Sequence, residues 1–283
     1  MAEVASIKFL KWSSLYEHER PFQIFMELRP ESEDRRNTNI SWDEKTVTVE
    51  DFRGRAKEFQ LDSHGFSSCH LPGFTELADK DTIEQQYLPA VEDILRTHLE
   101  DFGTVFIFDW RIRNSRSDTV TDMINFSDKT TPLLPSNYAH IDTGPISVIQ
   151  RIQKSFPKDA KRILQQRVRA VNVWKPLSHP VEEYPLAVCD GTSVKPEDLV
   201  ETDSVRQGNV STNYYVKYHA SQRWYFLNHQ SPDEALIFKH FDTKPGVKAP
   251  YALHSSIKLQ KTSEVARPRK SIEVRALVFS GIF

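Results

Sequence analysis

Cysteine is nearly absent from this chain: Cys69 and Cys189 are the only two in 283 residues. Two thiols so far apart exclude a disulfide framework and a cysteine-built zinc site. No charge of one sign dominates. Lys and Arg number 37 against 39 Asp and Glu, a formal net charge of −2, and the two signs are interspersed. Nucleic acid and anionic membrane surfaces are therefore not expected partners. No apolar run is long enough to span a bilayer. The opening Met1-Ala-Glu-Val-Ala-Ser has an acidic residue at position 3 and no apolar stretch behind it, so no signal peptide is read and a cytoplasmic location is expected. The Asn-x-Ser matches at Asn39, Asn125 and Asn209 are then coincidental. Repeats, low-complexity tracts and a linker are also missing, and 1–283 reads as a single domain.

Aromatic residues are plentiful, with 17 Phe, nine Tyr and five Trp, as suits a β-rich body with an aromatic-lined pocket. Short strands are expected within 6–10, 21–28, 46–49 and 58–61, with a loop over 64–74. Asp81 to Glu100 has apolar residues at helical spacing, Asp81 as cap and His98 on the packed face. A strong strand follows at 104–112, Phe106 and Phe108 sharing one face. The polar stretch 114–137 is a candidate lid. Helical patterns at 146–156 and 159–168 precede a strand at 169–176. Further strands are expected within 185–190, 214–218, 223–227, 235–241, 251–257 and 271–279. This spacing predicts a mainly β chain with flanking helices (α+β), built on a jelly roll or cupin-like double-stranded β-helix.

The chemically pointed stretch is Asn137-Tyr-Ala-His140-Ile-Asp142-Thr-Gly144. In a strand, residues two apart share a face, so His140 and Asp142 project together. With one more histidine they would make a 2-His-1-carboxylate triad for Fe(II). His98-x-Glu100 has the same spacing but sits in a helical pattern, where residues two apart diverge. The later candidates are His219, His229, His240 and His254. In the last strand Ile272, Val274, Ala276 and Val278 alternate with polar residues, so Arg269 and Ser271 lie side by side. A guanidinium next to a hydroxyl suits a carboxylate, with Arg275 as an alternative to Arg269.

The ordered set His140-x-Asp142, a late histidine and Arg269-x-Ser271 resembles the Fe(II)/2-oxoglutarate-dependent oxygenases. It is most similar to the group holding gibberellin desaturase-like proteins, cephamycin CmcJ-like proteins and novofumigatonin endoperoxidase. Asn172-Val-Trp-Lys-Pro176, Pro185-Leu-Ala-Val-Cys-Asp190, Arg223-Trp-Tyr225, Phe241-Asp242 and His254-Ser-Ser carry the likeness, over roughly 138–279. Lys175 stands where the group often has Arg, and Leu253 where it often has Pro. The resemblance implies 1–135 as strands, helix and lid, and 136–283 as the metal and co-substrate core. It implies His140, Asp142 and His254 as iron ligands, and Arg269 and Ser271 as holding the far carboxylate of 2-oxoglutarate, with O2 as second co-substrate. It further implies hydroxylation, desaturation, ring formation or endoperoxidation of a small, apolar secondary metabolite. Trp174, Tyr138 and Asn172 are the expected substrate contacts, and a homodimer is an admissible assembly. A cupin-like metal enzyme without 2-oxoglutarate and a non-catalytic jelly-roll module are the other readings.

Overall fold

A computed structural model describes residues 2–77, 79–116, 128–206 and 209–283. Among these, fifteen strands form two sheets: β1 (Ala2–Leu10), β2 (Phe22–Ile24), β3 (Trp42–Asp51), β4 (Phe66–His70), β5 (Thr104–Asn114), β6 (His140–Ile141), β7 (Val168–Leu177), β8 (Leu186–Cys189), β9 (Leu199–Arg206), β10 (Asn209–Val216), β11 (Trp224–Phe226), β12 (Glu234–Asp242), β13 (Leu253–Ser256), β14 (Lys258–Leu259) and β15 (Lys270–Phe279). The larger sheet runs β14-β1-β3-β11-β8-β13-β6-β10-β9-β2, and the smaller β4-β12-β7-β15-β5. The jelly-roll expectation holds. Part of the expected lid, 117–127, lies outside the described residues.

The smaller sheet is apolar on one face and polar at the centre of the other. Every residue of β7 is buried, because β7 lies between β12 and β15 and is covered on both sides. The even residues Ile272, Val274, Ala276 and Val278 of β15 join Val171 and Val173 of β7, and pack under Val91 and Leu95 of the helix Leu88–His98. The odd residues Ser271, Glu273 and Arg275 therefore face the larger sheet.

Several local expectations change. Asp79, not Asp81, caps the long helix, its carboxylate accepting the Thr82 N–H at 2.7 Å. The helix passes through a π turn at Ile83–Tyr87 before Leu88–His98. His98 is exposed, its ring 3.0 Å from the Ile94 carbonyl, and Leu99 is buried instead. The expected strand at 58–61 is a 3-10 turn, Ala56–Glu58, and a short helix, Leu61–His64. That helix ends at Gly65, whose φ is +87° and where a Cβ would sit 2.5 Å from the Tyr251 carbonyl oxygen. The expected loop 64–74 contains β4, whose strand state is imposed by pairing with β12. The second helical pattern shrinks to Ala160–Ile163. Among the described residues, no helix is long and apolar enough to cross a membrane.

One ion-pair network ties this frame together. Arg167 meets Asp62 at 2.8 Å and Asp242 at 2.7 Å, and Lys239 meets the same two carboxylates at 3.0 and 2.8 Å. Burial raises the Asp62 pKa, but Lys239 and Arg167 overcome it and hold the group at about 2. The folded value lies below the unfolded one of about 3.9. The stabilisation is therefore present above about pH 4 and lost as pH falls toward 2. Asp62→Asn is expected to flatten the fall in stability over that window; a denaturant series that keeps its wild-type slope there would refute the assignment.

Candidate metal centre and its two cavities

His140 and His254 become neighbours through register. In the antiparallel pair β6–β13 they are directly opposed, where cross-strand side chains are closest, and their ring centroids lie 4.0 Å apart. Asp142 follows β6 immediately. The ligand atoms of His140, Asp142 and His254 all lie within 4.8 Å of one another. His140 Nδ1 faces the Tyr138 carbonyl at 2.8 Å. As a donor there, it leaves the Nε2 lone pair free, the usual way a backbone carbonyl orients a metal-binding imidazole. Burial, then His140 beside it, holds the His254 pKa well below its ordinary value, which keeps that ring neutral.

The two oxygens of Asp142 have different surroundings. Oδ2 accepts from Asn172 Nδ2 at 2.8 Å and from the Arg275 guanidinium at 3.1 Å. Oδ1 faces His140 Nε2 at 3.3 Å and His254 Nε2 at 3.9 Å. Asn172 and Arg275 are themselves opposed across β7 and β15, so the smaller sheet grips one oxygen and leaves the other toward the imidazoles. Burial pushes the Asp142 pKa up, but the Arg275 guanidinium holds it well below the usual carboxylate range. Two imidazoles and one anionic oxygen are the donor set of a non-haem Fe(II) site. Cis donors on an octahedral ion of this size sit about 3 Å apart, close to the 3.3 Å and 3.9 Å separations here. The residues fit the metal.

His240, one of the four late histidines, also reaches the site. It is the unpaired residue of a bulge in β12, between Lys239 and Phe241, a device that re-aims side chains beside active sites. Its Nδ1 accepts the Asp142 backbone N–H at 3.3 Å, which puts the proton on Nε2, 3.9 Å from Asp142 Oδ2. Burial lowers its pKa to about 4. The neutral ring holds the Asp142 backbone and is absent from the three-residue donor cluster. Its alternation with Leu236 and Phe238 carried the signal that it faces inward. His219 and His229 lie elsewhere: the His219 ring contacts Ser221, and the His229 backbone carbonyl accepts from Arg53.

Cavities open on both sides of the three residues. A narrow one of about 10 Å³ joins His140 and His254 to Ser256, Trp174, Glu273 and Arg269. Arg269 is fully buried; its Nη1 donates to Ser256 Oγ at 3.2 Å and to the Tyr184 carbonyl, while its Nε has no partner. Ser271 Oγ is likewise buried without a partner. Burial, then nearby Arg113, lowers the Arg269 pKa to about 9. Unmet donors in a desolvated place await an anion. Arg275 does not compete for that part: Asp142, Glu273 and Asp109 lie 2.8–3.3 Å from its nitrogens. The wider chamber, about 130 Å³, is lined by Tyr138, Asp142, Asn172 and Arg275 among others. Tyr138 and Asn172 thus stand on the chamber wall, whereas Trp174 stands in the narrow cavity with the Arg269 guanidinium 5.5 Å over its ring.

Comparison with known proteins agrees with this geometry. Residues 7–279 match the family described as Oxidoreductase/YMDC permease-like domain. The chain is 31% identical over 251 residues to the Fe(II)/2-oxoglutarate-dependent dioxygenase nvfI of Aspergillus novofumigatus, covering 86% of each. It is 30% identical over 277 residues to the hydroxylase/desaturase poxK of Penicillium oxalicum, covering 86% of this chain and 82% of that one. The solved structure of the iron and alpha-ketoglutarate-dependent endoperoxidase NvfI superposes with a TM-score of 0.85, 27% identity and 99% of each chain covered. The protein belongs to the Fe(II)/2-oxoglutarate-dependent dioxygenases. It is an oxidoreductase whose cofactor is Fe(II) and whose co-substrates are 2-oxoglutarate and O2.

Proposed function

We propose that this enzyme oxidises a C–H bond of a small secondary metabolite, with His140, Asp142 and His254 holding iron and Arg269 and Ser271 holding the far carboxylate of 2-oxoglutarate. The observation that carries the reading is the asymmetry at Asp142, one oxygen gripped by Asn172 and Arg275 and the other turned toward two imidazoles. When bound, Fe(II) supplies the coupling of O2 to decarboxylation of 2-oxoglutarate and to substrate oxidation. The chain's own residues bind, orient and shield. Asn172 and Arg275 fix the carboxylate rotamer, His240 holds the Asp142 backbone, and the Tyr138 carbonyl fixes the His140 ring. Trp174, nearly fully buried, walls the co-substrate cavity from water. Strands from both parts of the chain build the site's two sheets, which supports 1–283 as one oxygenase unit. A cytoplasmic setting belongs to the same proposal and rests on two free cysteines, which a reducing compartment keeps as thiols.

The test is anaerobic binding of 2-oxoglutarate with and without Fe(II), followed by O2 and pools of terpenoids and alkaloids. Binding is expected only with the metal, and succinate is expected to appear in step with a small-molecule product that has gained oxygen or lost hydrogen. Metal-independent binding, or coupling only to a protein side chain, would count against the proposal.

A further inference from the structure

Resting on the site just proposed, we infer that the substrate carries a carboxylate, and that Arg151 binds it in the wide chamber. This departs from the expectation of an apolar substrate and starts from the balance of charge around that chamber. Among the arginines of its wall, Arg113, Arg151 and Arg275 stand against two acids, Asp109 and Asp142. Both acids are already engaged. Asp142 lies 3.1 Å from Arg275, and Asp109 lies 3.3 Å from Arg275 and 3.0 Å from Lys129.

The other two arginines that bear on the argument have no such balance. Arg151, on the helix Pro145–Ser155, is half-buried with its Cζ 4.1 Å from the centroid of the Phe108 ring. It has no hydrogen bond or ion pair among the described residues. Arg113, on β5, donates one N–H to the Leu134 carbonyl at 2.8 Å and likewise has no carboxylate partner among the described residues. Arg113 lines both cavities.

A partly desolvated, unpaired guanidinium close over an aromatic ring is held in place with its N–H donors unused. A concave wall with surplus charge of one sign concentrates ligands of the other. Phe25, Phe108, Tyr138 and Tyr215 supply the apolar part of the same wall. The ligand that fits is an amphiphilic acid: a ring or hydrocarbon skeleton whose carboxylate meets Arg151 and whose C–H lies toward Asp142 and His140. A carboxylate in the chamber has two possible sources, the substrate or 2-oxoglutarate, and the test separates them.

The probes are benzoate, 2-naphthoate and decanoate with their methyl esters, measured by equilibrium dialysis against anaerobic protein loaded with Fe(II) and 2-oxoglutarate. At least one acid is expected to bind about tenfold or more tighter than its ester. Arg151→Met should erase that preference and Arg151→Lys should restore part of it. Absence of acid binding, equal binding of acid and ester, or a preference that survives Arg151→Met overturns the inference. So does weaker 2-oxoglutarate binding in Arg151→Met, which would assign the arginine to the co-substrate. Failure of the wild type to bind 2-oxoglutarate with Fe(II) refutes the underlying site instead.

Discussion

Replacing His254 with alanine is expected to abolish stoichiometric iron and all coupled turnover. The ring is one of three donors, so its removal leaves His140 and Asp142 alone. Losing a group that merely orients a ligand costs about 10–100-fold in metal affinity, and losing a ligand should cost more than about 100-fold on the same scale. Metal content after anaerobic reconstitution and desalting is the measurement. His240→Ala is the control, because the lone pair on its Nδ1 is taken by the Asp142 backbone N–H, and its loss should stay within the smaller range. Should His254→Ala retain wild-type iron, or His240→Ala lose more than it, the assignment of the third ligand is wrong.

Truncation of Arg269 should remove 2-oxoglutarate binding while iron stays bound. Removing one partner of a buried, charged hydrogen-bonded pair costs about 2–5 kcal/mol, or from about 30-fold to a few thousand-fold in affinity. Arg269 also donates to the Tyr184 carbonyl and Ser256, so Arg269→Ala loses folding stability as well. Ser271→Ala separates the two effects. The Ser271 hydroxyl is buried and unpartnered, so its removal should leave the melting temperature unchanged or higher. A lost hydrogen bond to the co-substrate of about 1 kcal/mol would still weaken 2-oxoglutarate roughly fivefold. Calorimetric titration of the Fe(II) protein under nitrogen reads both variants. Wild-type affinity in Arg269→Ala would hand the co-substrate to another cation, and unchanged affinity in Ser271→Ala would remove the hydroxyl from the site.

Much of the centre was legible because strands write their faces at a period of two. His140 and Asp142 share a face by that rule, as do Arg269 and Ser271, and the alternation in 271–279 matched the even-numbered core residues of β15. His240 shares the parity of Leu236 and Phe238, a signal the sequence reading left unused, and the bulge that leaves it unpaired at Asp142 arises from the pairing of β12 with β7. Trp174 shares its parity with Asn172, yet the two stand at different cavities, since position along the strand separates what a common face joins.

Local misreadings have a similar origin. Residues 66–70 carry little β signal and become a strand because β12 offers an edge to pair with. Asp79 rather than Asp81 caps the long helix because its carboxylate reaches the Thr82 N–H; both acids suit the role by type, and only backbone geometry chooses.

What the amino-acid order determined by itself was the chemistry: the donor types, their spacing in each strand, and the alternation that sends them inward. Which late histidine meets His140, which oxygen of Asp142 is left toward the imidazoles, and which arginine keeps unmet donors were decided only by tertiary structure. Those choices depend on cross-strand register and on charges from remote strands meeting between two sheets, and neither is encoded in the spacing along one segment.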